Sequence, residues 1–219
     1  MSGKIYKEPN TNNIKMNPSD LTRSLDESFN FTLVFIDAGF LSKLSKHFGG
    51  GKYLKHDLIK FSKLISSKQN LFCKKIFYYT APPFQSETPS FLEKKRKDNY
   101  DRFISALTKQ SIITIREGRC QRLKINNKFG YNQKGVNNLM IIDLFHIVND
   151  FPKIKEIILI ASDSDFVPVI NDLSKRGIKT ILYTYYEKGR SAKLSTSNYL
   201  IKSVSKYIQL TKQDFLNSN

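Results

Sequence analysis

The sequence predicts an α/β fold with a mostly parallel central sheet flanked by helices on both faces. Short runs of consecutive apolar residues recur along the chain, as strands buried on both faces require. Stretches with apolar residues at helical spacing lie between them. The two kinds of segment alternate, which is the order a parallel sheet with crossover helices produces. The 219 residues are 40% hydrophobic, enough for one substantial core and a single domain.

The elements follow in order. Residues 1–28 are polar, rich in Lys, Asn and Ser, and without period, so a flexible N-terminal tail is expected there. The domain is expected over 29–213, with 214–219 as a short C-terminal tail. Phe31-Thr32-Leu33-Val34-Phe35-Ile36 is the first buried strand. Leu54, Leu58, Phe61, Leu64 and Ile65 share one helical stripe. Ile76-Phe77-Tyr78-Tyr79 is the second strand, stopped by Pro82-Pro83. A long charged helix is expected from Pro89 to Lys109, and Ile112-Ile113-Thr114-Ile115 is the third strand. Residues 117–134 show no helical pattern, and Asn126-Asn127-Lys128 between apolar residues suggests a short hairpin. A helix from Asn137 to Asn149 is apolar almost all round and is expected to be largely buried. Ile157-Ile158-Leu159-Ile160-Ala161 is the clearest buried strand, followed by a helix from Asp165 that stops at Gly177. Ile178 to Tyr183 is a further strand. A helix near Thr196–Ser203 and a strand at Tyr207-Ile208-Gln209-Leu210 close the chain.

The balance of charge points to a partner. Lys and Arg total 36 against 19 Asp and Glu, a net +17, and such a field draws in polyanions. Nucleic acid is the first partner to consider. No run approaches the roughly 18 apolar residues that span a membrane, and the N-terminus lacks the apolar core of a signal peptide, so no membrane association and a cytoplasmic location are expected. Cys73 and Cys120 form no C-x-x-C pair and read as two thiols in a reducing compartment. Gly49-Gly50-Gly51-Lys52 is not a phosphate loop: Lys46 stands where its first Gly belongs, Tyr53 replaces the Ser/Thr, and no strand precedes it.

Four aspartates stand out. Asp37 directly follows the first buried strand, and Asp163 and Asp165 directly follow the Ile157–Ala161 strand. In an open parallel sheet ligands bind beyond the carboxyl ends of the strands, so both strands deliver carboxylates to one edge. Helix capping alone would explain Asp165, which precedes Phe166-Val167-Pro168. Asp143 lies in the apolar helix, where a carboxylate needs a partner. Lys134 would serve, or Asp143 joins the other acids. Carboxylates gathered at one place repel each other, and a divalent cation removes the conflict. Oxygen donors suit Mg²⁺ or Mn²⁺, and such an ion stabilises charge on a phosphoryl group.

At these residues the chain resembles the NYN domain family, a branch of the PIN-like nucleases. The matching segments are Phe35-Ile36-Asp37-Ala38-Gly39-Phe40-Leu41, Tyr78-Tyr79-Thr80-Ala81-Pro82-Pro83, Gln133-Lys134-Gly135-Val136-Asn137, Asp143-Leu144 and Ser162-Asp163-Ser164-Asp165-Phe166-Val167-Pro168. Val204-Ser205-Lys206-Tyr207-Ile208-Gln209-Leu210 resembles the family's closing strand, so the likeness runs from about residue 31 to 211 in the right order. The resemblance implies a Rossmann-like sheet, a Mg²⁺ or Mn²⁺ ion held by acids, and cleavage of RNA. It places Asp37 and Asp163 as direct metal ligands and Asp143 and Asp165 as further acids of the site. It also admits a homodimer. The chain departs from the family at Asn137, where an acid is usual, at Thr80, where Asp is frequent, and at Ser205. Asn137 still offers an amide oxygen to a metal but brings no charge, and it suits a helix N-cap in either case.

A basic stretch is expected to hold the RNA. Arg116, Arg119, Arg122, Lys124, Lys128 and Lys134 are interleaved with Phe129 and Tyr131. Cations of this kind track phosphates while bases of a single strand stack on the rings. The run Lys94-Lys95-Arg96-Lys97 reads equally as a solvated helix face. Three function classes follow: a metal-dependent ribonuclease, a catalytically degenerate RNA-binding relative favoured by Asn137, and a regulatory domain whose charge is only compositional.

Overall fold

The structure, a computed structural model, describes residues 30–125, 128–187 and 194–219. The N-terminal tail expected over 1–28 lies outside these residues. In chain order the elements are β1 (Phe31–Asp37), α1 (Ala38–Phe48), α2 (Leu58–Ser67), β2 (Phe72–Thr80), α3 (Phe91–Thr108), β3 (Ile113–Glu117), β4 (Arg119–Ile125), β5 (Lys128–Lys134), α4 (Val136–Asp150), β6 (Glu156–Ile160), a 3₁₀ turn (Ser164–Phe166), α5 (Val167–Lys175), β7 (Lys179–Thr184), α6 (Asn198–Ser203), β8 (Lys206–Gln209) and α7 (Lys212–Leu216).

Six strands form one sheet in the order β3-β2-β1-β6-β7-β8, and every neighbouring pair is parallel. The apolar run of β1 shows why. Its alternate side chains enter two separate cores, Val34 and Ile36 on one face and Leu33 and Phe35 on the other, all with no exposed surface. Helices α1, α2 and α7 supply the first core through Leu44, Phe61 and Phe215. Helices α4, α5 and α6 supply the second through Leu144, Ile170 and Leu200. Phe35 stacks on Phe77 of β2 with ring centroids 4.7 Å apart. Truncating such a ring to Ala would cost about 3–5 kcal/mol.

The topology fixes the site. From β1 the chain winds outward through β2 to β3, then returns to the centre at β6 and winds the other way through β7 to β8. The direction reverses between β1 and β6, and the crevice beyond their carboxyl ends is the switch point where such sheets bind ligands. Outside the sheet, β4 and β5 make the expected hairpin as a two-stranded antiparallel ribbon, whose turn at 126–127 lies outside the described residues.

Several details differ from the sequence reading. Helix α1 begins directly after β1. Its apolar residues are separated by Gly39, Ser42, Lys43 and Lys46, so its stripe of Ala38, Phe40, Leu41 and Leu44 is faint in the sequence. Gly49-Gly50-Gly51 ends that helix. A Cβ at Gly49 would lie 2.0 Å from the Lys52 carbonyl oxygen, and Gly50 and Gly51 adopt φ of 62° and 97°. The last residues, expected as a tail, form α7. Phe215 is fully buried against Phe48, His56 and Phe61, and Asp214 accepts from the Thr211 N–H and pairs with Lys68. Helix α4 buries Val136, Met140, Leu144 and Ile147 but leaves Ile142 51% and Phe145 40% exposed. It covers one face of the sheet, so only that stripe is sealed. Both cysteines are free thiols. No helix among the described residues is long and apolar enough to cross a membrane.

Candidate functional site

Asp37 and Asp163 reach the switch point from its two sides. Asp37 is the last residue of β1 and the N-cap of α1, its Oδ1 accepting the Phe40 N–H at 3.1 Å. It is half-buried. Burial pushes its carboxyl above the usual aspartate range, and the negative charge of Asp163 adds to the rise. The backbone N–H groups of Phe40 and Gly39 and the charge of Lys43 oppose it. The strand-to-helix turn also explains Gly39. A Cβ there would sit 2.8 Å from Gln133 Oε1 and 3.1 Å from Asp37 Oδ1, so a larger residue would have to displace the Gln133 amide and crowd the Asp37 carboxylate.

Asp163 lies just beyond β6 and is exposed. Its Oδ1 accepts the Asp165 N–H at 3.1 Å and caps the 3₁₀ turn. The capping role expected of Asp165 therefore falls to Asp163, because the 3₁₀ turn comes before α5. Helix α5 starts from Phe166 with no side-chain cap. Asp165 is left exposed beside it. Asn137 ties the two together, its Nδ2 donating to Asp163 Oδ2 at 3.0 Å and to Asp165 Oδ2 at 3.3 Å. Asn137 is not an N-cap either. Gly135 occupies that position with φ of 80°, which places Asn137 in the first turn of α4 with its amide over the acids. One neutral amide thus offsets part of the carboxylate repulsion. Among the described residues no three His, Cys, Asp or Glu side chains stand at metal-ligand spacing.

Asp143 is placed differently. It lies six residues beyond Asn137 on α4, roughly 9 Å along the axis. Its carboxylate accepts from Arg116 Nε at 2.9 Å and Nη2 at 2.5 Å, and from the Tyr79 hydroxyl at 2.8 Å. The partner is therefore Arg116 of β3, not Lys134, which is exposed at the base of the ribbon. Tyr79 is fully buried, and burial together with the Asp143 charge drives its hydroxyl far up, keeping it a donor. The structure brings Asp37, Asp163, Asp165 and Asn137 to one edge and ties Asp143 to β2 and β3 instead. Arg116, expected among the RNA contacts, is committed to Asp143.

The other cations lie on the ribbon. Arg119, Arg122 and Lys124 are exposed on β4, and Lys128 and Lys134 bound β5. The antiparallel register pairs Cys120 with Gln133, Arg122 with Tyr131 and Lys124 with Phe129. Alternation puts those six on one face of the ribbon and Arg119 and Lys134 on the other. The Arg122 guanidinium is 4.8 Å from the Phe84 ring centre and 4.7 Å from that of Phe129. Tyr131 lies 5.9 Å from Phe84. Phe84 had no distinguishing mark in sequence, and Tyr79 and Gln133 stood only as members of matching segments without a role of their own. Period-two alternation along 129–133 was the signal available for Gln133.

The comparisons with known proteins bear on the fold and the family. A solved structure of a protein of unknown function from Vibrio parahaemolyticus is similar to this chain, with a TM-score of 0.53 at 15% identity, covering 85% of this chain and 96% of that one. At that identity the likeness shows the fold alone. No curated protein matches the chain. The NYN domain profile matches residues 31–211, the whole span from β1 to the end of the sheet, and the chain belongs to the NYN domain family.

Proposed function

We propose that this protein is a metal-dependent ribonuclease that hydrolyses RNA phosphodiester bonds at the β1/β6 switch point. The observation that carries the reading is the gathering of Asp37, Asp163 and Asp165 beyond the carboxyl ends of the neighbouring strands β1 and β6, in a chain of net charge +17. The donor set fits Mg²⁺ or Mn²⁺: carboxylate oxygens of Asp37 and Asp163, with Asn137 as a neutral donor once its amide turns over to present the oxygen in place of Nδ2. Among the described residues the half-buried Asp37 carboxylate also has no hydrogen-bonded cationic side chain. When bound, the ion supplies Lewis-acid stabilisation of charge on the phosphoryl oxygens. Asp165, exposed and not used as a cap, orients the attacking water and accepts its proton. Arg119, Arg122, Lys124, Lys128 and Lys134 draw the phosphate backbone to the crevice. Asp143 acts through Arg116, holding the guanidinium on β3.

A second reading is favoured by one observation. The hydrogen bonds of Asn137 to Asp163 and Asp165 steady those carboxylates without a cation, which suits an RNA-binding protein without turnover. Cleavage of single-stranded and structured RNAs with Mn²⁺ or Mg²⁺, with EDTA and the Asp37→Asn and Asp163→Asn variants as controls, separates the two. Metal-dependent cleavage lost in both variants is the expected result. Intact binding with no cleavage under any condition would establish the second reading.

A further inference from the structure

We propose that one face of the β4–β5 ribbon is a stacking platform for unpaired bases, so that the strand entering the crevice is single-stranded RNA. This inference rests on the proposed RNA-directed function of the same site and names the form of its substrate.

Phe129 is 58% exposed and Tyr131 52% exposed, far more than aromatic rings in a core-forming strand. Their immediate setting is ordered by charge. The Arg122 guanidinium lies between the rings of Phe84 and Phe129, within 5 Å of each centre, a cation–π arrangement that fixes both rings and the charge together. Among the described residues Arg122 makes no hydrogen bond or ion pair. Its N–H edge is therefore available to a phosphate while its planar faces hold the rings. Phe84 belongs to the segment after β2, so the platform is anchored to the sheet and not only to the ribbon.

The direction of the platform connects it to the acids. Phe129, Tyr131 and Gln133 follow one another on the same face of β5 at about 6.6 Å intervals. The last of them places its amide oxygen against Gly39, beside the Asp37 carboxylate. A strand whose bases stack on Phe129 and Tyr131 is thus led along β5 to the switch point. Paired bases cannot do this. In A-form RNA the base faces are already stacked, and proteins reach mainly phosphates and 2′-hydroxyls. Exposed rings beside an unpaired guanidinium are the combination that binds single strands with little sequence preference.

The test measures binding of the full chain in EDTA, which removes cleavage from the readout. The probes are a fluorescent single-stranded RNA, the same strand in a duplex, and a single strand with abasic sites. Phe129→Ala is expected to weaken single-strand binding about tenfold or more, with duplex binding unchanged and thermal unfolding intact. Phe129→Tyr retains the affinity. The abasic strand binds the native protein as weakly as the intact strand binds Phe129→Ala, and it loses nothing further in that variant. Equal weakening of single strand and duplex, or no change in either, overturns the platform. Cleavage assays read separately: a ring-dependent single-strand preference without metal-dependent cleavage sinks the nuclease reading alone, whereas cleavage with ring-independent binding sinks the platform alone.

Discussion

Asp163 faces two other carboxylates with a single asparagine amide between it and Asp165. Asp143, six residues along the helix from that asparagine, is met by a two-pronged arginine and a tyrosine hydroxyl. The two residues are chemically identical, and both adjoin buried apolar segments. What separates them is the supply of donors. Around Asp143 the sheet provides a cation and an O–H from β2 and β3, so its charge is satisfied within the fold. At the switch point backbone N–H groups donate to Asp37 and Asp163, but among the described residues no side-chain cation is hydrogen-bonded to either. The first arrangement stabilises structure, and the second is suited to an ion from outside.

The largest expected effect tests the second arrangement directly. Asp37→Asn and Asp163→Asn are predicted to lower the cleavage rate on the order of a hundredfold or more, the scale of losing one group that stabilises developing charge. Asparagine caps a helix about as well as aspartate, so folding is retained, and circular dichroism checks this. Asp143→Asn is predicted to reduce cleavage far less in the same assay. An equal loss would show that Asp143 belongs with the other acids.

Asp143→Ala is predicted to lower stability by about 1–3 kcal/mol, read by chemical denaturation. It orphans the buried Tyr79 hydroxyl. The Arg116 side chain is 44% exposed, so solvent screens its share of the loss. Mn²⁺ affinity, read by calorimetry, is predicted to remain unchanged in this variant, whereas Asp163→Asn weakens it.

A smaller effect distinguishes the cations. Arg122→Ala is predicted to weaken RNA binding and to flatten its dependence on salt by about 0.7 in log–log slope, the value of one single-strand phosphate contact. Arg119→Ala is predicted to do the same. Arg116→Ala changes the slope less, because that guanidinium is already neutralised by Asp143. Titrations at several salt concentrations decide this, and an unchanged slope for both Arg119→Ala and Arg122→Ala would remove the ribbon from the RNA path.

The smallest effect is one of pH. The folded pKa of Asp37 is raised, so between its unfolded and folded values the native protein holds the extra proton. Its contribution to stability is present at low pH and is lost as pH rises through the folded value. In metal-free protein Asp37→Asn is therefore predicted to remove that slope and to melt slightly higher at neutral pH. A variant that melts lower than the native protein there would contradict it.

The sheet was legible in sequence because strands buried on both faces are written as uninterrupted apolar runs, and β1, β2 and β6 each have one. Asp37 and Asp163 were legible for the same reason, standing where those runs stop. The partner of Asp143 was not, since Arg116 is twenty-seven residues away and joins it only through the β2–β3 register. Helix α1 was obscured by Lys and Ser residues on its outer side. The assignment of caps failed locally: the 3₁₀ turn after Asp163 shifted the expected helix start by two residues, and the left-handed Gly135 displaced Asn137 from the end of α4 into its first turn.

The ribbon is joined to the rest of the chain through one glycine at each end. Gly118 donates its N–H to the Thr80 carbonyl at 2.8 Å, and Gly135 takes the left-handed turn that starts α4. The base of the ribbon is thus pinned to the end of β2 on one side and to the start of α4 on the other. The ribbon proposed to meet the RNA is therefore held at one narrow base, while the carboxylates proposed to act on that RNA are fixed by the sheet.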